Sequence, residues 1–443
     1  MASPVKRVQR NPYADFLRAF SLLIVILWHW SFTILVWNDN GPYATSPLGF
    51  TSGLWILTWL LQVMPLFFYI GAYVHLKAWE RAAARGERLA HFALRQAKSL
   101  AIPCAALMGT WIVLGIIVTS VWDIQWAWQA ILMVLSPLWF VAVYLLLVCL
   151  MPITVWLHRR YDLLVLVVLA GLAVIVDILR FRVDIPGIEW VNMIFVWGFC
   201  FQLGYFYDRI CGTGSAPRYS DGRIDWAYQA PRFRQQAKVM TAAGLFALVG
   251  LVFSGLYPGS MVGVPGEDSN MAPPTVCIVA LMVFQAGVAE LLRPAVLHAL
   301  GRGGAFAKAT TVFTRFALPL FLFHTTGMAL SRGVEWSIFG PQTEAVEPTL
   351  MWWLLRPVSV IGPLLATLPV IYLFGRRWET QTTAPPPRIF PVEDDEVGDG
   401  GDTPRPEPTR ARRGERPIRR TAAGPAGDAD DGPRRQAASP TSS

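Results

Sequence analysis

Long apolar stretches recur along this chain, and the segments joining them are alternately basic and free of Lys and Arg. A helix of about 20 apolar residues crosses a hydrocarbon core of about 30 Å. Inside lipid only helices and closed barrels satisfy every backbone N–H and C=O, and stretches this long read as helices. The stretches lie at about 15–37, 52–75, 97–121, 138–157, 162–180, 190–207, 239–257, 274–292, 312–331 and 351–374. This predicts an all-α integral membrane protein, a polytopic bundle of about ten transmembrane helices. The composition agrees, with 54% hydrophobic and only 15% charged residues, and the 19 Trp suit interfacial belts. Basic residues collect at one side, in segments carrying Lys6, Arg7 and Arg10, Lys77 to Lys98, Arg159 and Arg160, Arg209 to Lys238, Arg293 to Lys308, and Arg376 and Arg377. The opposite loops at 38–51, 122–137 and 258–273 contain no Lys or Arg. Cytosolic loops carry the excess of positive charge, so the pattern predicts a multi-pass protein with both termini in the cytosol.

The net charge of +8 therefore reads as topology and contact with membrane lipids, not as a nucleic-acid surface. Three regions are expected: a cytosolic arm over 1–14, a transmembrane domain over 15–378, and a tail over 379–443. The arm runs straight into a full-length span, as a retained signal-anchor does. The tail is rich in Pro, Gly, Asp and Arg and poor in large apolar residues, so it is expected to be disordered. Cys104, Cys149, Cys200, Cys211 and Cys277 show neither a disulfide framework nor metal-ligand spacing. Segment 209–238 reads either as a plain surface loop or as an amphipathic stretch on the membrane. Two of the opposite loops do carry charge, one with Arg180, Arg182, Asp184 and Glu189, the other with Arg332, Glu335, Glu344 and Glu347. These read as self-paired surfaces or as part of a binding surface.

Within the first span, Arg18 and His29 are eleven residues apart. That is about three turns, so both lie on one helix face, roughly 16 Å apart along the axis. If Arg18 marks the membrane surface, His29 lies near mid-bilayer, where an ionisable group points to function. An interior His bonded to a helix carbonyl is the plain alternative. Arg18 and Asp15 on the same helix favour chemistry: a neutral imidazole takes a hydroxyl proton as general base, and Arg18 binds a phosphate or carbonyl oxygen. The alternative for Arg18 is an anchor paired with Asp15. Arg95 and Lys98, three apart on one helix face, make a cationic site for a phosphorylated ligand, although topology explains them equally well. His324 is a second polar site within a span. Asp177 is expected to pair with Arg180, and Tyr144, Asn192 and Gln202 to bond between helices. Phosphate-loop, dinucleotide, zinc and nucleophile-elbow motifs are absent. Taken alone these residues fit a transporter as well as a lipid-handling enzyme.

Several motifs taken in order resemble a known family, the bacterial membrane acyltransferases of type three. They are Asp15-Phe-Leu-Arg18 followed by ten residues and His29, Met64-Pro65-Leu-Phe67-Phe68-Tyr-Ile-Gly71, Arg95-x-x-Lys98 with Ile102-Pro103, Pro137-Leu138-Trp139-Phe140, and Leu322-Phe323-His324. The resemblance covers about residues 10–375. Ile70 stands where the family often has Ser, and Lys98 where it often has Arg, which keeps the charge but loses the bidentate fork. The resemblance implies transfer of an acyl group, commonly acetyl, from cytosolic acyl-CoA to a hydroxyl of an extracytoplasmic glycan, glycolipid or other envelope molecule, in the bacterial inner membrane. It implies His29, Arg18 and Asp15 as catalytic residues, and Arg95, Lys98 and Trp139 toward acyl-CoA. Acyl-CoA is then a co-substrate, and no tightly bound cofactor or metal is expected. The alternative from another class is a transporter or flippase of an envelope lipid or glycan precursor, without acyl transfer.

Overall fold

The structure is a computed structural model that describes residues 10–374, apart from residues 40, 220–221, 265–267, 342 and 344–346. The expected tail, Lys6, Arg7, Glu344, Arg376 and Arg377 lie outside the described residues. In chain order the elements are α1 (Pro12–Phe32), β1 (Ile34–Asn38), β2 (Gly41–Thr45), α2 (Trp55–Leu61), α3 (Met64–Ala83), α4 (Leu89–Trp122), α5 (Ala127–Leu135) and α6 (Leu138–Cys149). There follow α7 (Met151–Tyr161), α8 (Leu164–Phe181), α9 (Asn192–Gly204), α10 (Tyr207–Cys211), α11 (Pro231–Phe253), α12 (Val276–Gly301), α13 (Ala305–Phe339), α14 (Leu350–Leu354), α15 (Arg356–Ser359) and α16 (Ile361–Leu373).

Among the described residues eight helices are long and apolar enough to cross a membrane, or nine if the pair α5 and α6, bent by 42°, is one span. Each of the ten apolar stretches is accounted for. The stretch at 190–207 is the shorter apolar helix Ile188–Gly204. That at 138–157 is broken at Leu150, between α6 and α7, with Pro152 opening the second piece. Among the described residues the fold is all-α but for one hairpin, and two of the loops free of Lys and Arg differ from expectation. The first span stops at Phe32 rather than residue 37, and the chain turns into an antiparallel hairpin pairing Ile34 with Thr45 and Asn38 with Gly41. The run Ile34-Leu-Val36-Trp37 is β-branched and aromatic, which suits a strand better than another helical turn. Within 122–137, expected as a loop, the nine residues of α5 form a helix packed against β2.

The span Trp55–Ala83 and α12 bury 72% and 78% of their apolar windows, against 17–33% for the six other long spans. The first group forms the centre; the second turns most of its apolar surface outward, as helices bathed in lipid do. Two glycines permit close approaches at the centre. A Cβ on Gly204 would sit 2.0 Å from the Tyr69 carbonyl, so α9 lies against α3, and one on Gly71 would sit 2.4 Å from the Tyr144 hydroxyl.

The basic end is tied by a buried ion pair between Arg293 and Glu290. Arg293 also donates to the carbonyls of Trp226 and Cys211, and the Gln229 amide donates to Glu290. Tyr13 donates to the Ala289 carbonyl. These bonds hold the segment before α11 against α12, with Ala227 buried. Within 209–238 the part before α11 is thus pinned to α12, and Phe233 belongs to α11.

Candidate active site

α1 is one unbroken helix whose N-terminus is capped by Asn11, the side-chain oxygen accepting from the N–H groups of Tyr13 and Ala14 at 3.0 and 3.3 Å. Its straight run sets Arg18 and His29 three turns apart. They open onto different cavities. Arg18 lines one of about 190 Å³ near the basic end, together with Arg10, Asp15, His75, Gln96 and Tyr144. His29 lines one of about 260 Å³ toward the opposite end, with Gln62, Ser136, Trp139, Thr45 and Gly263.

His29 meets His324 of α13, with Nδ1 to Nε2 at 3.1 Å and ring centroids 5.0 Å apart. Three consecutive residues of α13 are each fastened to a different helix. The Trp30 indole donates to the His324 carbonyl at 2.9 Å, the Thr325 hydroxyl donates to the Val134 carbonyl at 2.8 Å, and the Trp111 indole donates to the Thr326 hydroxyl at 3.1 Å. His324 is thus held from α1, α5 and α4, and is fully buried.

The hydrogen bonds assign the tautomers of the neutral pair. His324 Nδ1 faces the Phe321 carbonyl, which only accepts, so this nitrogen carries a proton. Its Nε2 is then an acceptor, and His29 Nδ1, which faces it, must be the donor. The lone pair of His29 is left on Nε2. The relay runs from His29 Nδ1–H through His324 to a main-chain carbonyl, and it orients His29 with no carboxylate.

At the basic end the alternative pairing of Arg18 with Asp15 gives way to another. Asp15 is bound by Arg10 through two contacts, at 2.5 and 2.9 Å. Arg10 comes from the chain just before the helix and reaches Asp15 in its first turn, so the Arg18 Nε is left buried without a partner. His75 and Tyr144 line the same cavity. A buried, unpaired donor of this kind is costly unless a ligand oxygen meets it.

Asp15 therefore lies at the cavity rim and is not brought to His29. Arg95 and Lys98 are exposed on α4 and do not line the cavity, although their neighbours Gln96 and Ser99 do. Arg95 binds Glu87 at 2.9 Å and holds that carboxyl below the ordinary carboxylate range. Trp139 lines the His29 cavity, not the Arg18 cavity. Asp177 does not pair with Arg180. It accepts from Asn192 Nδ2 at 2.8 Å, the Tyr257 hydroxyl at 3.1 Å and the Val276 N–H at 2.9 Å, while Arg180 binds Asp268. Arg332 pairs with Glu335 on its own helix.

Sequence reasoning passed over Gln62 and Ser136, read His75 as a neutral or solvated group at a span end, and gave Tyr144 only an interhelical role. A signal for His75 was present, since Phe67, Gly71 and His75 recur every four residues on one face of α3. Gln62 follows α2 and fastens the loop that roofs the His29 cavity. Its amide donates to the Met261 carbonyl at 3.1 Å, while the Met261 N–H donates to the Thr58 hydroxyl and the Trp59 indole to the Gly259 carbonyl, each at 2.9 Å. Asn270, fully buried, crosses the same loop to the carbonyls of Pro258 and Ser260.

Residues 11–375 match a family model described as an acyltransferase domain, the third of that name. No curated protein and no solved structure matches the chain.

Proposed function

The chain belongs to the acyltransferase 3 family and is a multi-pass membrane acyltransferase, and from that premise we propose that it moves an acyl group, acetyl by preference, from cytosolic acyl-CoA to a hydroxyl of an extracytoplasmic glycan, glycolipid or other envelope molecule. The basic end faces the cytosol of a bacterial inner membrane, with both termini there. Acyl-CoA enters the Arg18 cavity and the acceptor enters the His29 cavity. Membership of an acyltransferase family decides against a transporter that moves its cargo unmodified.

The observation that carries this reading is the position of the His29–His324 pair beside one cavity, with an unpaired Arg18 in the other on the same helix. Arg18 offers the buried N–H to a donor phosphate, while the thioester reaches on toward His29. Arg95 and Lys98, on the exposed flank beside the mouth, attract the polyanionic donor at longer range. His29 Nε2 takes the acceptor hydroxyl proton as the oxygen attacks the thioester carbonyl. The carbon–sulfur bond breaks, and the departing CoA thiolate recovers that proton from His29. His324 accepts from His29 Nδ1 throughout and stabilises the transient imidazolium. Trp139 and its aromatic neighbours exclude water that would hydrolyse the thioester.

The test supplies acyl-labelled acetyl-CoA to membranes holding wild-type protein or an equally expressed His29→Ala variant. Label that reaches the envelope fraction only with the wild type supports the reading. Equal label in both overturns the role of His29. Label in neither, beside a working control acyltransferase, overturns acetyl transfer. A burst of CoA without acceptor would replace the general base with an acyl-histidine.

A further inference from the structure

The two cavities share Phe140 and Phe321, and among the described residues no other lining residue is common to both. The two rings meet edge to face, with centroids 5.8 Å apart and planes at 70°. Both side chains are almost fully buried. Arg18 lies on one side of this partition and His29 on the other. A thioester whose CoA phosphates are held by Arg18 must part the rings before its carbonyl reaches a hydroxyl beside His29.

The two rings are held differently. Phe140 sits in an aromatic box, 5.1 Å from both Phe67 and Phe68 and 6.4 Å from Tyr144. Phe321 meets, besides Phe140, the His324 ring at 5.5 Å. It also follows Pro319, which lies inside α13 and removes one helix hydrogen bond just before it. Local give in a helix has its usual cause in such a proline.

We propose that Phe140 and Phe321 form a two-ring gate between donor and acceptor cavities, with Phe321 the moving leaf, and that this gate sets which acyl groups reach His29 and how much thioester is lost to water. The inference rests on the donor and acceptor reading above. With the gate shut and no acceptor bound, water in the His29 cavity is kept from the thioester. With the gate defective, water attacks the thioester carbonyl, the carbon–sulfur bond breaks, and a carboxylic acid and CoA thiol are released. The opening is the space vacated by one phenyl ring, so short acyl groups pass and long ones are hindered.

The full chain is reconstituted in lipid and CoA thiol release is followed without acceptor, for acyl-CoAs from acetyl to octanoyl. Phe321→Ala is expected to raise acceptor-free release by about two- to twelve-fold, the range set by the strength of one aromatic pair. It also shifts preference toward the longer chains. Phe321→Leu, which keeps most of the buried volume, shows the same direction more weakly and serves if the alanine variant misfolds. Phe321→Trp slows transfer without raising release. His29 is wild type throughout, so these readouts concern the gate; loss of transfer in His29→Ala tests the reading beneath it. Phe321→Ala and Phe321→Leu proteins that melt like the wild type and show unchanged release and chain-length preference overturn the gate. Turnover of none of these thioesters by the wild type overturns the underlying reading and the gate with it.

Discussion

The cavity beside Arg18 and the cavity beside His29 are built on the same helix but in opposite ways. Around His29 the side chains are already tied in place: the imidazole bonds His324, and the roof is strapped by Thr58, Trp59, Gln62 and Asn270. Around Arg18 a buried guanidinium nitrogen has no partner, because Arg10 has taken Asp15. A site tied in advance holds its groups in place before substrate arrives, which is what proton transfer requires. A site with an unmet donor gains its missing bond only when a ligand brings an oxygen, which is what selective capture of an anionic donor requires. On the proposed reading, this difference separates the catalytic cavity from the one that recognises the donor.

Variants at the His29 cavity sharpen this comparison most. His324→Phe keeps a buried ring but removes the acceptor for His29 Nδ1. Turnover is expected to fall about a hundred-fold, the lower end of what a positioned acid–base group supplies, with little change in the KM for acyl-CoA. A steady-state comparison of kcat with KM checks this, and an unchanged kcat would remove His324 from the relay. At the other cavity, Arg18→Gln is expected to raise the KM for acyl-CoA about ten- to a hundred-fold, the value of one charge-assisted hydrogen bond, and to spare acceptor binding. A loss confined to kcat would break the division of labour. Gln62→Leu strips the roof of a buried bond and is expected to cost about 1–3 kcal/mol of stability. It raises the KM of the acceptor, not of the donor, as chemical unfolding and paired titrations would show. The smallest effect belongs to Lys98→Ala and Arg95→Ala, about five-fold or less on donor KM, since exposed ion pairs contribute little. That effect should vanish at high salt; an effect that survives salt would place these residues in direct contact with the donor.

The sequence made the fold legible where physics is local. Apolar length and charge alternation define the spans, and the spacing of Arg18 and His29 sets their common helix. The hairpin at 34–45 was hidden because its apolar strand continues the hydropathy of α1. Within the site, His324 was visible as a polar residue in a span, but its contact with His29 joins residues 295 apart in sequence. The capture of Asp15 by Arg10 was equally invisible, because it depends on how the chain enters α1 at its Asn11 cap. Gln62 and the roof depend on a loop some 200 residues later, which no periodicity announces.

The central claim is that donor and acceptor come from opposite sides and meet at His29. Oriented vesicles test it most directly, with impermeant acyl-labelled acyl-CoA given to inverted or right-side-out membranes carrying the wild type or His29→Ala. The account predicts transfer of label to the acceptor only in inverted vesicles, where the basic end faces the added donor, and none with His29→Ala in either orientation. Sealed right-side-out vesicles that label as fast as inverted ones, or label that persists without His29, would contradict it.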